Sequence, residues 1–155
     1  LFVKDVFWLV VDTLASAAEH TYSQPWHFPD ALDVRQQGDR VVGRSSDGSG
    51  IVLVPLAQNP EGERFDYSIA YIWDRKTPAT GWRWERRGTD VGFATLLVPG
   101  PTDTPLEVAD LSGQIDKGAI RCSVRVGSRV WEIELGSGDE VQCTSSTVGV
   151  NRSQR

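Results

Sequence analysis

Apolar and polar residues alternate with a period of two along most of this chain. In residues 119–126, for example, every second residue from Ile120 to Val126 is apolar or a cysteine, and the intervening positions are mostly polar. This alternation is typical of β-strands that bury one face. No segment keeps apolar residues at helical spacing over three turns, so helices are not predicted.

The alternating segments predict an all-β fold, an antiparallel two-sheet β-sandwich with a supersandwich-like layout and roughly 10–12 strands. The predicted strands are Val3–Leu14, His20–Phe28, Ala31–Gln36, Arg40–Ser45, Ile51–Ala57, Phe65–Trp73, Trp82–Arg87, Val91–Val98, Leu106–Ala109, Ala119–Val126, Val130–Leu135 and Glu140–Cys143.

The chain is short enough for one domain, and glycine-rich or proline-rich turns separate the strands without any linker. We therefore predict a single sandwich domain over residues 1–143 and a C-terminal tail over 144–155 that frays. Because Leu1 is not a natural start, we expect the chain to be a piece of a larger protein.

Charge and hydropathy argue against two classes of partner. The formal net charge is -5, whereas nucleic-acid binding requires a basic surface that neutralises phosphates. The longest apolar run, Val6 to Val11, is too short to span a bilayer. We predict no nucleic-acid partner and no membrane span.

Cys122 and Cys143 each fall on the apolar side of a predicted strand, so both thiols are expected to point inward. Their spacing fits two buried free thiols as well as a disulfide. An oxidised pair would favour a periplasmic or secreted setting.

Two histidines, His20 and His27, lie in one predicted strand, and Asp12 precedes them across a predicted hairpin through Ala15–Ala18. A His/His/carboxylate set suits zinc, but the characteristic ligand spacings are missing. Seven residues of separation also place the histidines on opposite faces unless Pro25 bulges the strand. The alternative is that each histidine is hydrogen-bonded at a sheet edge.

A basic, aromatic segment runs from Trp73 to Gly88. Trp82 and Trp84 stand two residues apart and therefore share a face, and the neighbouring basic residues are Arg83, Arg86 and Arg87. Indole faces stack on sugar rings and guanidinium groups pair with carboxylate or sulfate, so the segment is a candidate site for an acidic glycan. The alternative is that both indoles belong to the core and the arginines only protect an edge strand. Trp8, Trp26 and Trp131 lie within apolar alternations and are expected in the core.

Two segments carry recognisable motifs. Residues 6–30, VFWLVVDTLASAAEHTYSQPWHFPD, contain an apolar strand, an Asp, a short turn, a His and then an aromatic-His pair. Residues 67–100, YSIAYIWDRKTPATGWRWERRGTDVGFATLLVPG, contain a tyrosine-bearing strand and a Thr-Leu-Leu-x-Pro strand end. In order and spacing, both segments resemble the C-terminal sheet domain of heparinase II/III-like polysaccharide lyases.

The resemblance implies a lyase that cleaves uronic-acid polysaccharides by β-elimination, built from an upstream helical toroid and this sheet domain. Such a reaction needs a group that neutralises the uronate carboxylate, a base and an acid. Most of these groups belong to the toroid, so we expect the chain alone to be inert. Candidate substrate contacts are Tyr71, Tyr22, Trp82, Trp84 and the three arginines, and the catalytic candidates are Tyr71 and His20.

Some members of the family carry a structural metal in the sheet domain, and only His20 or His27 matches a ligand position. The resemblance therefore implies weak zinc binding at most. The expected partners are an acidic polysaccharide and the toroid, in the periplasm or outside the cell. The alternative function is a non-catalytic carbohydrate-binding or structural β-sandwich domain.

Overall fold

The structure is a computed structural model that describes residues 1–56, 61–72, 75–136 and 140–147, with the side chains of 71 and 72 left out. Its strands are β1 (Phe2–Val3), β2 (Phe7–His27), β3 (Asp33–Gln37), β4 (Arg40–Arg44), β5 (Ser49–Pro55), β6 (Glu61–Ile72), β7 (Arg75–Pro101), β8 (Leu106–Gln114), β9 (Ala119–Val126), β10 (Arg129–Leu135) and β11 (Val141–Thr147), with one 3-10 turn, Ile115–Lys117.

The strands form two antiparallel sheets, as the alternation predicts. The seven-stranded sheet has the order β1-β2-β7-β5-β4-β3, with β6 also paired to β7. The four-stranded sheet is a meander of order β11-β10-β9-β8. No α-helix occurs in the described ranges, and none of their segments is a helix long and apolar enough to cross a membrane.

The first hydrophobic core lies between the two sheets. One face of the seven-stranded sheet contributes side chains such as Phe7, Leu9 and Leu96, and the four-stranded sheet contributes Ile133 and Trp131. Phe7 packs edge-on against Trp131 with ring centroids 5.7 Å apart. Burial of this apolar surface is what holds the two sheets together.

A second core lies on the opposite face of the seven-stranded sheet. It contains Val41, Leu53, Phe93, Trp82 and Trp84. The last two belong to the arm, which we define as residues 20–27 of β2, residues 75–88 of β7, and β6. The arm folds back over the sheet, and this buries its two indoles against the apolar side chains of the sheet.

The bend that allows this fold-back is an irregularity in the pairing of β2 with β7. Ala15 pairs with Asp90 and His20 with Gly88, so residues 16–19 of β2 lie opposite Thr89 alone. Extra residues on one strand bend a sheet sharply. Arg86 reinforces the bend, because its Nη1 donates to the carbonyl oxygen of Gly92 at 2.6 Å.

This bend differs from the sequence prediction. Val3–Leu14 and His20–Phe28 are largely two parts of one strand, β2, and the hairpin through Ala15–Ala18 does not form. The two separately predicted strands Trp82–Arg87 and Val91–Val98 likewise belong to one strand, β7. Residues 16–19 are small or polar and resemble a turn. The chain nevertheless continues as one strand there, because the residues on both sides of this segment pair with β7.

The C-terminal boundary also differs. β11 extends to Thr147, so residues 144–147 of the predicted tail are paired strand, whereas residues 148–155 lie outside the described residues. The ends of two predicted strands, Ala57 and Trp73, lie outside them as well.

The cysteines occupy two strands that are not neighbours. Cys122 on β9 and Cys143 on β11 both pair with Ile133 of β10, so they face the same side of the sheet. Both side chains therefore point to the core side, as expected, but only Cys122 is buried; Cys143 is exposed because that side of the edge strand β11 is left uncovered. Two strand spacings separate them by roughly 10 Å, beyond the reach of a disulfide. Both are free thiols.

Tryptophans divide in the same way between core and surface. Trp131 is 5% exposed, as expected for a core residue, and Trp26 packs at the margin of the second core. Trp8 is 40% exposed and stacks on Phe2 with ring centroids 5.4 Å apart. Trp8 lies beside the two-residue edge strand β1, where too little chain is present to cover it.

Candidate functional site

The arm carries the predicted substrate-contact and catalytic residues and both histidines, whereas Asp12, the carboxylate of the predicted zinc set, lies on the first half of β2. His20, Tyr22 and His27 lie on β2, Trp82, Arg83, Trp84, Arg86 and Arg87 on β7, and Tyr71 on β6. The pairing of the three strands brings these distant segments into one sheet. The side chain of Tyr71 lies outside the described residues, so its predicted role stays a prediction.

The arm has two faces, and the predicted residues are divided between them. The inner face packs against the second core and carries Tyr22, Trp82 and Trp84. The outer face, formed by the alternate residues, carries His27, Arg83 and others. The sequence pattern gives this parity correctly, but it does not tell which face is covered.

The two indoles of the basic segment are buried. Trp82 is 5% exposed and Trp84 is 3% exposed, and they pack edge-to-face with centroids 5.6 Å apart. Gly62 of β6 lies against them, since a Cβ added there would come within 2.4 Å of the Trp84 ring. This placement matches the core alternative, because neither ring is open for stacking on a sugar.

Four polar atoms on the inner face are buried without a hydrogen-bond partner among the described residues. They are the hydroxyl of Tyr22 and the indole nitrogens of Trp26, Trp82 and Trp84. By contrast, the buried Gln24 side chain donates to Asp12 Oδ2 at 2.7 Å and accepts from Thr95 Oγ1 at 2.6 Å. The inner face is therefore held by apolar packing and by polar links across the bend, through Gln24 and through Arg86.

The arginines of the basic segment are engaged by neighbouring groups. Arg83 forms ion pairs with Glu63 and, at 3.1 Å, with Glu85, while Arg87 Nε lies 2.7 Å from Glu19 Oε1. Local carboxylates thus offset the positive charge seen in the sequence. These pairs are on the outer face and partly exposed, and exposed pairs contribute about 0–1 kcal/mol each, so another anion can exchange with the glutamates.

The histidines lie on opposite faces. The register from His20 through His27 is regular, and Pro25 pairs in line with Arg83 without a bulge. Proline is accommodated because this part of β2 is an edge strand. His20 packs edge-on with Tyr22, and the structure does not bring it together with His27. No cluster of three His, Cys, Asp or Glu side chains suited to a metal ion occurs in the described part of the chain.

The outer face also carries an aromatic cluster that was not predicted from the sequence. His27 packs edge-on against Phe65 and Tyr67, with ring centroids 5.4 Å and 4.7 Å apart. Phe65 lies over Gly81, where a Cβ would approach its ring to 2.2 Å. The alternation of Phe65 and Tyr67 in β6 was visible in the sequence, but the register that sets them beside His27 was not.

Tyr67 is anchored as well as packed. Its hydroxyl donates a hydrogen bond to the backbone carbonyl of Phe28. Burial, assisted by the negative charge of Asp30, raises the pKa of Tyr67. The cluster forms a surface of ring faces and edges, with Arg83 on the same face of the arm. Such an arrangement can bind a sugar ring and an anionic group.

Comparison with known proteins gives structural matches only. No protein-family model matches the chain, and no curated protein matches it. The heparan sulfate lyase HepC from Pedobacter heparinus superposes with a TM-score of 0.72 over 87% of this chain at 13% identity. Heparinase III superposes with a TM-score of 0.60 over 92% of the chain at 17% identity.

In both cases the chain spans 22% of the length of the matched protein. At these identities the likeness shows the fold and not the chemistry. The fold of this chain is that of one domain of these lyases, an all-β domain of two antiparallel sheets.

Proposed function

We propose that this chain is the sheet module of a heparinase II/III-like polysaccharide lyase, in which it supplies contacts to an acidic glycan. The observation that carries the proposal is the structural likeness over 87% of the chain to a domain of a heparan sulfate lyase. The two segments that resemble the family, residues 6–30 and 67–100, include most of the arm, where the predicted site residues gather.

The outer face of the arm is the surface that suits this role. His27, Phe65 and Tyr67 offer aromatic faces and edges against which the C–H groups of a sugar ring pack. Arg83 and Arg87 offer guanidinium groups that exchange their glutamate partners for a uronate carboxylate or a sulfate. The buried Trp82 and Trp84 act indirectly, by holding the arm in place.

Elimination chemistry belongs elsewhere in this proposal. The reaction needs a base, an acid and a carboxylate-neutralising group around one sugar. Of the aromatic cluster, the Tyr67 hydroxyl is already bound to the main chain. We propose that a helical toroid encoded upstream supplies the catalytic groups, that the chain alone is inert, and that the complete protein acts in the periplasm or outside the cell.

Binding is tested by titrating the complete chain with heparan sulfate oligosaccharides and following heat or amide chemical shifts. Shifts are expected around His27, Phe65 and Arg83. The double variant Arg83→Ala, Arg87→Ala should weaken binding about tenfold or more, since each lost charge-assisted hydrogen bond contributes roughly 1.5–3 kcal/mol.

The matched control is the double variant Arg121→Ala, Arg125→Ala, which removes the same number of charges. Both arginines are exposed on β9 of the four-stranded sheet, away from the arm, and pair with Glu134 and Glu107. This control should bind like the parent chain. Equal losses in the two double variants would show that affinity follows net charge, and no binding at all would refute glycan contact by this chain.

Activity is tested by following the ultraviolet absorbance of the unsaturated uronate product. The isolated chain should produce none, and restoring the upstream residues should produce it. Product formation by the chain alone would contradict the assignment of catalysis to the toroid.

A further inference from the structure

The open edge of β11 carries an inference that does not depend on the proposed function. β11 is the terminal strand of the four-stranded sheet, and within the described residues only β10 pairs with it. The pairing with β10 runs through all seven residues, from Val141 to Thr147, without a register shift. All seven residues are exposed. Among the described residues, one side of this regularly paired strand is therefore available for backbone hydrogen bonds.

Proteins usually protect such edges, and the other terminal strands among the described residues are protected. Charged side chains, prolines, bulges and very short strands all discourage pairing with another chain. β3 has Asp33 and Arg35, and β1 is two residues long. β6 has charged residues from Glu61 to Asp66 and a register shift near its end.

The remaining edges follow the same pattern. The outer half of β2 contains Pro25. β8 carries Glu107, a register shift between Ala109 and Ser112, and Asp110 with a positive φ of 52°. Among the described strands, β11 is the exception, because its sequence VQCTSST has no charge, no proline and no bulge.

We propose that β11 pairs with β11 of a second copy of this chain, antiparallel and about a two-fold axis. A two-fold places the same edge of each copy against the other and uses both edges up, so association stops at two. The two four-stranded sheets would become one continuous sheet of eight strands. Main-chain hydrogen bonds supply the affinity, as in other cases of strand addition.

The side chains suit this pairing. Full overlap of the seven residues centres the axis at Thr144, so that Thr144 faces its copy, a favourable cross-strand pair. Val141, 48% exposed in the single chain, and Cys143 extend the apolar face of Leu135 and Ile133 to the edge of the sheet, where Thr147 and Ser145 of the second copy would cover them. Cys143 and its copy become diagonal neighbours about 7–8 Å apart on one face.

The inference is tested first by the mass of the complete chain in solution. Sedimentation or light scattering should give twice 17.1 kDa at high concentration. Since each copy carries a net charge of -5, raising the salt should strengthen the dimer, whereas salt would weaken glycan binding. A monomer at every concentration would overturn the inference.

The pairing edge is then tested with Thr144→Lys. In the single chain the new lysine lies beside Glu132, its partner in register, so the fold is kept. In the dimer it meets its own copy, and the like charges should weaken association about tenfold or more. The matched control is Ser68→Lys on the edge strand β6, which should dimerise like the parent chain. Equal effects of the two substitutions would overturn the inference.

Cross-linking through Cys143 tests the register. A short bismaleimide should link two copies through this thiol, and Cys143→Ser should lose the link but keep the dimer mass. Cys122 is fully buried and serves as the unreactive internal control. A dimer that never cross-links at Cys143 would show that another surface joins the copies and would refute this arrangement.

Discussion

Cys122 and Cys143 differ in reactivity because of what covers them. Cys122 lies in the first core with no exposed surface, and burial, with smaller contributions from Glu132 and Cys143, raises its pKa to about 11. The reactive form of a cysteine is the thiolate. Cys122 therefore has neither access to reagents nor the required charge at neutral pH.

One thiol per chain should react rapidly with a disulfide reagent in the native state, and the second only after unfolding. Reductant should leave the unfolding midpoint unchanged. Cys143→Ser should abolish the rapid phase, and rapid reaction of two thiols in the folded chain would contradict the burial of Cys122.

Asp47 holds the turn between β4 and β5. Its carboxylate accepts hydrogen bonds from the hydroxyl of Ser45, from the hydroxyl of Ser49 at 2.6 Å and from the backbone N–H of Ser49 at 2.9 Å. These bonds lower the pKa of Asp47 from its ordinary value of 3.8 to about 2. The charged carboxylate, and not the acid, thus stabilises the turn.

Because the folded pKa is depressed, this stabilisation is fully present above about pH 4 and is lost as the pH falls through about 2. The carboxyl carbon of Asp47 should titrate with a midpoint near 2 in nuclear magnetic resonance spectra. In Asp47→Asn the amide shifts of Ser45 and Ser49 should lose this acid transition. An ordinary midpoint in the parent chain would mean that the serines do not bind the carboxylate.

At the scale of elements, the polar link through Gln24 connects the arm with the sheet across the bend. Gln24 on the arm is 5% exposed, and it joins Thr95 on β7, which is 1% exposed, to Asp12 on the first half of β2. Asp12 and Gln24 are twelve positions apart in the sequence. The bend in β2 brings their side chains into contact, so the hydrogen bond could not be predicted from the sequence.

Thr95→Val should destabilise the chain by about 1–3 kcal/mol, because the buried Gln24 oxygen then loses its donor while shape is nearly kept. The measurement is the free energy of unfolding in urea. The control is Thr21→Val on the exposed outer face of β2, expected within about 0.5 kcal/mol of the parent chain. Equal effects at the two positions would show that the link does not stabilise the arm.

At the scale of the whole molecule, the seven-stranded sheet serves two cores at once. Its one face packs on the four-stranded sheet through Leu96 and its neighbours, and its other face packs on the arm through Phe93. Trp84 completes the second core from the arm side. Loss of this indole should loosen the arm and, with it, the outer surface proposed to contact glycans.

Trp84→Ala should lower the free energy of unfolding by about 3–5 kcal/mol, the usual cost of emptying a buried aromatic site. Trp8→Ala should cost clearly less, because Trp8 is 40% exposed against 3% for Trp84. Denaturant unfolding of both variants gives the comparison. A stable Trp84→Ala chain would mean that the arm does not depend on the second core.

The sequence by itself determined the period of two, and with it the all-β fold, the two antiparallel sheets and most strand positions. These follow because side-chain alternation and turn chemistry are local properties. It also determined that Trp82 and Trp84 share one face, since parity within a regular strand is fixed by counting. For His20 and His27 it left the parity open, because Pro25 could have bulged the strand, and the regular register of the structure decided it.

Only the tertiary structure decided which face was covered. The bend at residues 16–19 turned the indoles into the second core. The register of β6 on β7 set Phe65 and Tyr67 beside His27, and the end of the four-stranded sheet at β11 left Cys143 exposed. Each outcome depends on which strands become neighbours and on where the sheets end. Those are long-range properties, set by the packing of segments far apart in the chain, and local alternation carries no information about them.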